Sequence, residues 1–198
     1  MKIFHLISSP RGEASTSTKL SSAIVEKLIQ ANVGTVVTTR NLATEPFPQL
    51  EDLHIASFFT PAEKFTAELA AAAKKSEEAI TQLMETDVIV IGAPMYNFTI
   101  HTALKSWIDH IVRADKTFAF TENGAQGFVT GKKLYIGLSS GGIFTEGPFK
   151  PYDFAEPYLR FIFSFIGITD MTVYRAQGLN VPIIKETALQ KAIDSIAI

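Results

Sequence analysis

The chain has 198 residues, 46% hydrophobic and 19% charged, with a net charge of -2, the size and balance of a single domain with its own core. That charge gives no reason to expect nucleic acid or an anionic membrane as a partner, and no apolar run reaches the about 18 residues that span a bilayer. Zero cysteines exclude disulfides, thiolate metal sites and cysteine nucleophiles, and without a signal-peptide pattern a cytoplasmic protein is expected.

Residues 2–7 form a short apolar run ending in Ser8-Ser9-Pro10-Arg11-Gly12, a first strand entering a polar loop. Leu20, Ala23, Ile24 and Leu28 then share one helical face, and Val36-Val37-Thr38-Thr39 reads as a second strand before Pro46 and Pro48 break the chain. Residues 61–86 are expected as one helix, started by Thr60-Pro61 and striped by Phe65, Leu69, Ala72, Ala73, Ile80 and Leu83. Val88-Ile89-Val90-Ile91 is apolar throughout, as a strand buried on both faces of a parallel sheet must be. It breaks at Pro94 into Met95-Tyr96-Asn97-Phe98, and Leu104, Trp107, Ile108, Ile111 and Val112 follow at helical spacing. Residues 117–132 read as an inserted hairpin, its arms at 118–124 and 127–131. A fourth strand at 134–138 ends in Ser139-Ser140-Gly141-Gly142, and a helix at 157–166, a strand at 171–175 and a C-terminal helix complete the chain. Strand and helix alternate five times, which defines an α/β fold: a doubly wound, five-stranded parallel sheet in one domain over 1–198.

Ligands of such sheets bind beyond the carboxyl ends of the strands, where three loops converge: residues 8–18, 94–98 and 139–142. The first sets Ser9, Ser15, Thr16 and Ser17 at a helix N-terminus, whose free amides and dipole favour a phosphate. Helix capping is the alternative, but more hydroxyls gather there than one cap uses. Met95, Tyr96 and Phe98 would line a flat ring and Asn97 its polar edge, or the aromatics would fill a core after an ordinary turn. Gly141 and Gly142 would let backbone amides approach a pyrimidine edge with no Cβ in the way, or simply end a strand. Neither GxGxxG nor GxxxxGK[ST] occurs, and paired acidic residues are missing from the end of the first strand. A mononucleotide remains, and in this fold class that points to flavin mononucleotide (FMN) at the switch point of the sheet.

The APMYNF block, the early Ser-rich loop, TFAFTENGAQGFVTGKK and the later FIGITD run resemble the bacterial FMN-dependent NADH azoreductases in order and spacing along nearly the whole chain. The resemblance implies a flavodoxin-like fold, a homodimer with two flavins at its interface, and ping-pong two-electron reduction of quinones and azo compounds by NADH. It implies that Ser9, Ser15, Thr16 and Ser17 hold the phosphate, that Pro94, Met95, Tyr96, Asn97 and Phe98 pack on and hydrogen-bond the isoalloxazine, and that Ser139, Gly141 and Gly142 meet its pyrimidine side. Ser140 stands where an arginine is common in that family and Phe144 where a histidine is, an exchange that removes polar contacts near the flavin edge.

A dimer has separate support in Tyr158, Leu159, Phe161, Ile162, Phe163, Phe165 and Ile166, which leave their helix almost no polar face. Phe120 of the hairpin and Phe163 or Phe165 would then complete a substrate wall across the interface. No catalytic side chain and no metal is assigned, because the cofactor carries the chemistry. Of the histidines, His5 lies in a strand, His54 in an irregular segment, and His101 caps a helix. The competing class is a flavodoxin-type electron carrier with a protein partner, for which a net charge of -2 supplies no strongly acidic docking surface. A flavin-free binding module would show no bound flavin.

Overall fold

The computed structural model describes residues 1–198. Strand β1 (Lys2–Ile7) leads through α1 (Thr16–Ala31) to β2 (Val36–Asn41). Helices α2 (Asp52–Phe59) and α3 (Ala67–Met84) precede β3 (Val88–Tyr96), which folds back as β4 (Thr99–Ile100). Helix α4 (Thr102–Ile111) is followed by the hairpin β5 (Phe118–Thr121) and β6 (Gly124–Gly127), then β7 (Lys133–Ser139), α5 (Glu156–Phe165), β8 (Asp170–Ala176) and α6 (Lys185–Asp194). The main strands run parallel in the order β2-β1-β3-β7-β8, the doubly wound arrangement with its switch point between β1 and β3.

Side-chain alternation sorts the core into two layers. Phe4, Leu6, Ile89, Ile91, Leu134, Ile136 and Leu138 face α3, α4 and α5, with Trp107 and Phe163 fully buried among them. Ile3, Val88, Val90, Tyr135 and Tyr174 face α1 and α6 on the other side. On this second face Gly92 and Gly137 present no side chain, and a Cβ on Gly92 would lie 2.7 Å from Ser21 Oγ and 3.0 Å from the Ser17 carbonyl. Helix α1 therefore lies almost on the sheet, with its first turn at the carboxyl ends of β1 and β3.

The five-stranded parallel sheet is present, with β4 added antiparallel to the end of β3. That small hairpin was not expected, because Pro94 reads as a strand breaker; Pro94 instead stays in β3, paired with Ser139 of β7. The helix expected at 61–86 starts later. Thr60-Pro61 opens only a 3-10 turn at Ala62–Lys64, and Thr66 caps α3 by accepting from the Leu69 amide at 3.3 Å. Helix α2 replaces the irregular segment around His54; its capping box pairs Glu51 with His54, a polar pairing that hydrophobic periodicity does not register. The inserted hairpin forms, but its second arm is Gly124–Gly127 instead of 127–131, because Val129 turns inward to donate its amide to the Ile166 carbonyl at 2.8 Å.

Candidate functional site

At the switch point a cleft of about 260 Å³ is lined by Arg11, Ser15, Thr16, Pro94, Met95, Tyr96, Ser139, Ser140, Gly141, Leu179 and Asn180. All three loops singled out in the sequence thus meet in one place, as the ends of neighbouring strands must. A larger groove of about 610 Å³ lies between β2 and α3. It is far less suited to a flat ring, being walled by Glu77, Glu78, Glu85, Lys2 and Arg40 and away from the strand ends.

The α1 end of the cleft separates the two readings of its hydroxyls. Ser15 is the N-cap residue of α1, yet its side chain accepts no helix amide; Ser15 Oγ lies 3.0 Å from Ser17 Oγ instead. The amides of Thr16, Ser17 and Thr18 therefore keep no acceptor within the chain. A helix start with free amides, a positive dipole end and an adjacent hydroxyl pair is a donor set for a phosphate, so capping does not account for these serines. Ser9 and Ser17 are themselves buried and are not among the residues that line the cleft. Ser9 Oγ accepts from the Arg11 amide at 3.3 Å and shapes the loop.

The APMYNF segment is a hairpin tip. Met95 pairs with Ile100 and Tyr96 with Thr99, and the two residues between, Asn97 and Phe98, have φ of 46° and 72°. Both central residues are left-handed, as in a type I′ turn, where the second is usually Gly; Phe98 there stores about 1–3 kcal/mol of strain. Tyr96, Asn97 and Phe98 stand exposed at the rim while Pro94 lies in the floor. Tyr96 meets His101 edge-on at 5.4 Å, and His101 Nδ1 accepts from the Ala103 amide at 3.2 Å, so this histidine caps α4 as expected. Burial holds His101 below the ordinary imidazole value, which keeps the capping nitrogen unprotonated.

On the third loop Gly141 lacks a Cβ for a reason other than the expected one. The direction its Cβ would take is filled by the Asn180 side chain, while the Asn180 backbone amide donates to the Gly141 carbonyl at 2.9 Å. Ser140 Oγ donates to the Gly142 carbonyl at 2.9 Å, locking the loop, and the Phe144 ring lies under Gly142 and edge-on to Phe98 at 6.1 Å. The two positions that depart from the azoreductase pattern thus serve loop closure and an aromatic stack. Asn180 and Leu179 escaped the sequence reading because they follow β8 in a stretch with no motif; only the return of that strand end toward β7 brings them in.

The expected substrate wall divides. Phe163 is 1% exposed and packs on Trp107 at 6.3 Å, so it is a core residue and leaves the wall. Its position i+4 from Leu159 puts it on the inward stripe of α5. Phe165 lies 4.6 Å from Phe118 and 6.5 Å from Phe120, and together with Phe161 these rings form an aromatic cluster on the surface, where Phe120 is 76% exposed. None of them lines this chain's cleft.

A parallel sheet of order 2-1-3-7-8 with a phosphate-ready helix start and an aromatic ring-edge loop at its switch point defines a flavodoxin-like nucleotide-binding protein. The chain matches the family described by its flavodoxin-like fold over residues 1–197, and belongs to it. It is 44% identical over 178 residues to the FMN-dependent NADH:quinone oxidoreductase of Herminiimonas arsenicoxydans, covering 90% of this chain and 87% of that one. With the protein of the same name from Rhizobium leguminosarum bv. trifolii it shares 43% over 193 residues, 98% and 93% of the two chains. Among solved structures, a Bacillus anthracis FMN-dependent NADH-azoreductase in complex with FMN superposes with a TM-score of 0.88 at 25% identity, over 98% of this chain and 95% of that one.

Proposed function

We propose that this protein is an FMN-dependent NADH oxidoreductase that reduces quinones and azo compounds, acting as a homodimer in the cytoplasm with one flavin-binding domain over 1–198. The observation that carries the reading is the free α1 start, where Ser15 leaves the Thr16, Ser17 and Thr18 amides without acceptors beside an aromatic-rimmed cleft. The residues suit FMN: donors for a phosphate at one end, the Pro94 floor and Tyr96–Phe98 rim for a flat ring, and the Ser139, Gly141 and Asn180 polar groups for its edge. The relatives named above carry the same activity in their names over nearly their whole length.

FMN, when bound, supplies hydride acceptance from NADH and two-electron delivery to the acceptor. The chain's part is to bind and orient. Met95, Tyr96 and Phe98 would hold the ring and the α1 amides would hold the phosphate, and two-electron reduction by NADH followed by the acceptor in a ping-pong order is the expected course. His101 Nδ1 is committed to capping α4. The exposed Phe120 and Phe161, clustered with the half-buried Phe165, support a homodimer, in which Phe120 and Phe165 would complete the substrate wall across the interface.

The test is a visible spectrum of the purified protein, followed by anaerobic NADH and then a quinone. A flavin band that bleaches with NADH and returns with the quinone is expected. Protein that binds no FMN even when it is supplied overturns the proposal.

A further inference from the structure

The left-handed pair Asn97–Phe98 needs external support, since strained backbone persists only where its surroundings over-determine it. That support comes from a remote segment: the Phe98 carbonyl accepts from the Phe154 amide at 3.0 Å. Phe154's own ring is 57% exposed and does not place this amide. Its neighbour Asp153 does. Asp153 Oδ1 accepts from the Ala155 and Glu156 amides at 3.0 and 3.1 Å, capping α5, while Oδ2 pairs with Arg175 Nη2. Arg175 also donates from Nε to Glu156 Oε2 at 2.7 Å, and Glu156 Oε1 holds Arg160. The Arg175 and Asp153 side chains are 11% and 8% exposed, so this is a shielded charge pair fastening the segment to the rigid strand β8.

We propose that Arg175, acting through Asp153, is a positioning residue for the flavin-facing turn: the pair fixes the Asp153–Phe154 peptide so that its N–H holds the Phe98 carbonyl and sets the tilt of the Phe98 ring. The inference rests on the FMN reading above and assigns to β8 a role in that site which none of the cleft-lining residues carries.

Full-length Arg175→Met, Arg175→Lys and Arg113→Met proteins test it. Arg113 is 4% exposed on its side chain and paired with Glu77 beyond the far end of α4, about 15 Å of helix away from the turn, so its loss reports destabilisation alone. The readouts are the FMN dissociation constant by fluorescence quenching, the visible circular dichroism of bound flavin, and the thermal midpoint. Arg175→Met is expected to weaken FMN binding about ten- to a hundredfold and to alter the flavin dichroism. Arg175→Lys recovers part of both, and Arg113→Met lowers the thermal midpoint with FMN binding unchanged. If Arg175→Met does not fold, Asp153→Asn, which keeps an acceptor for the α5 amides, gives the same readouts. Wild-type affinity and dichroism in Arg175→Met, or equal weakening in Arg113→Met, overturn the inference alone. Absence of FMN binding in the wild type overturns the functional reading as well.

Discussion

Ser21 Oγ occupies the space above Gly92, 2.7 Å from where a Cβ would stand. The same hydroxyl lies 2.8 Å from His5 Nε2 and donates to the Thr18 carbonyl at 3.0 Å, so His5 acts as the donor to it and one serine ties β1, β3 and the first turns of α1 together. The height of α1 over the sheet, and with it the position of the free amides at its start, is set at this contact.

Gly92→Ala should therefore both destabilise the fold and loosen the site. Overpacking here is expected to cost about 1–3 kcal/mol in urea unfolding, with weaker FMN binding because α1 is lifted. Ser21→Ala in the same chain should restore only part of the stability, since the Ser17 carbonyl remains 3.0 Å away. An unchanged urea midpoint in Gly92→Ala would show that α1 is not seated as described.

Ser15 and Ser17 bond each other and cap nothing. The double variant Ser15→Ala/Ser17→Ala removes both partners together, so apo stability should change by less than the about 1 kcal/mol of a lost N-cap. Affinity for FMN should fall while affinity for riboflavin, which has no phosphate, stays the same. Equal loss for both flavins would refute a phosphate role.

Burial lowers His5 from 6.5 to about 4. Between those values the unfolded state binds a proton that the folded state refuses, so stability is complete above the unfolded value and declines as pH falls toward 4. The decline is expected to reach up to about 3 kcal/mol, with His101 and His110, also lowered by burial, acting in the same direction. Urea midpoints at pH 7.5 and 5 measure it, and His5→Asn should flatten the slope.

Phe98 occupies the turn position where Gly is favoured, at φ 72°. Phe98→Gly should raise apo stability by about 1 kcal/mol through relief of that strain and yet lower quinone turnover, because the ring beside the cleft is gone. A loss of stability would mean that the contacts of Phe98 with Phe144 and Tyr152 outweigh the backbone term.

Much of this protein is decided locally and can be read from the chain. The apolar β3, the helical stripes of α1 and α4 and the strand–helix alternation follow from burial and periodicity, which are properties of neighbouring residues. The doubly wound class and the convergence of the three loops on one cleft follow in turn. Helix α2 and the late start of α3 were hidden because their signals are polar caps among prolines. Only the tertiary structure could decide that Ser15 does not cap, that Phe163 belongs to the core, that Asn180 takes the space beside Gly141, and that Arg175 supports Phe98 through Asp153 and Phe154. Each of these depends on which atoms from distant segments come within bonding distance once five strands close, and residue type and spacing do not encode that distance.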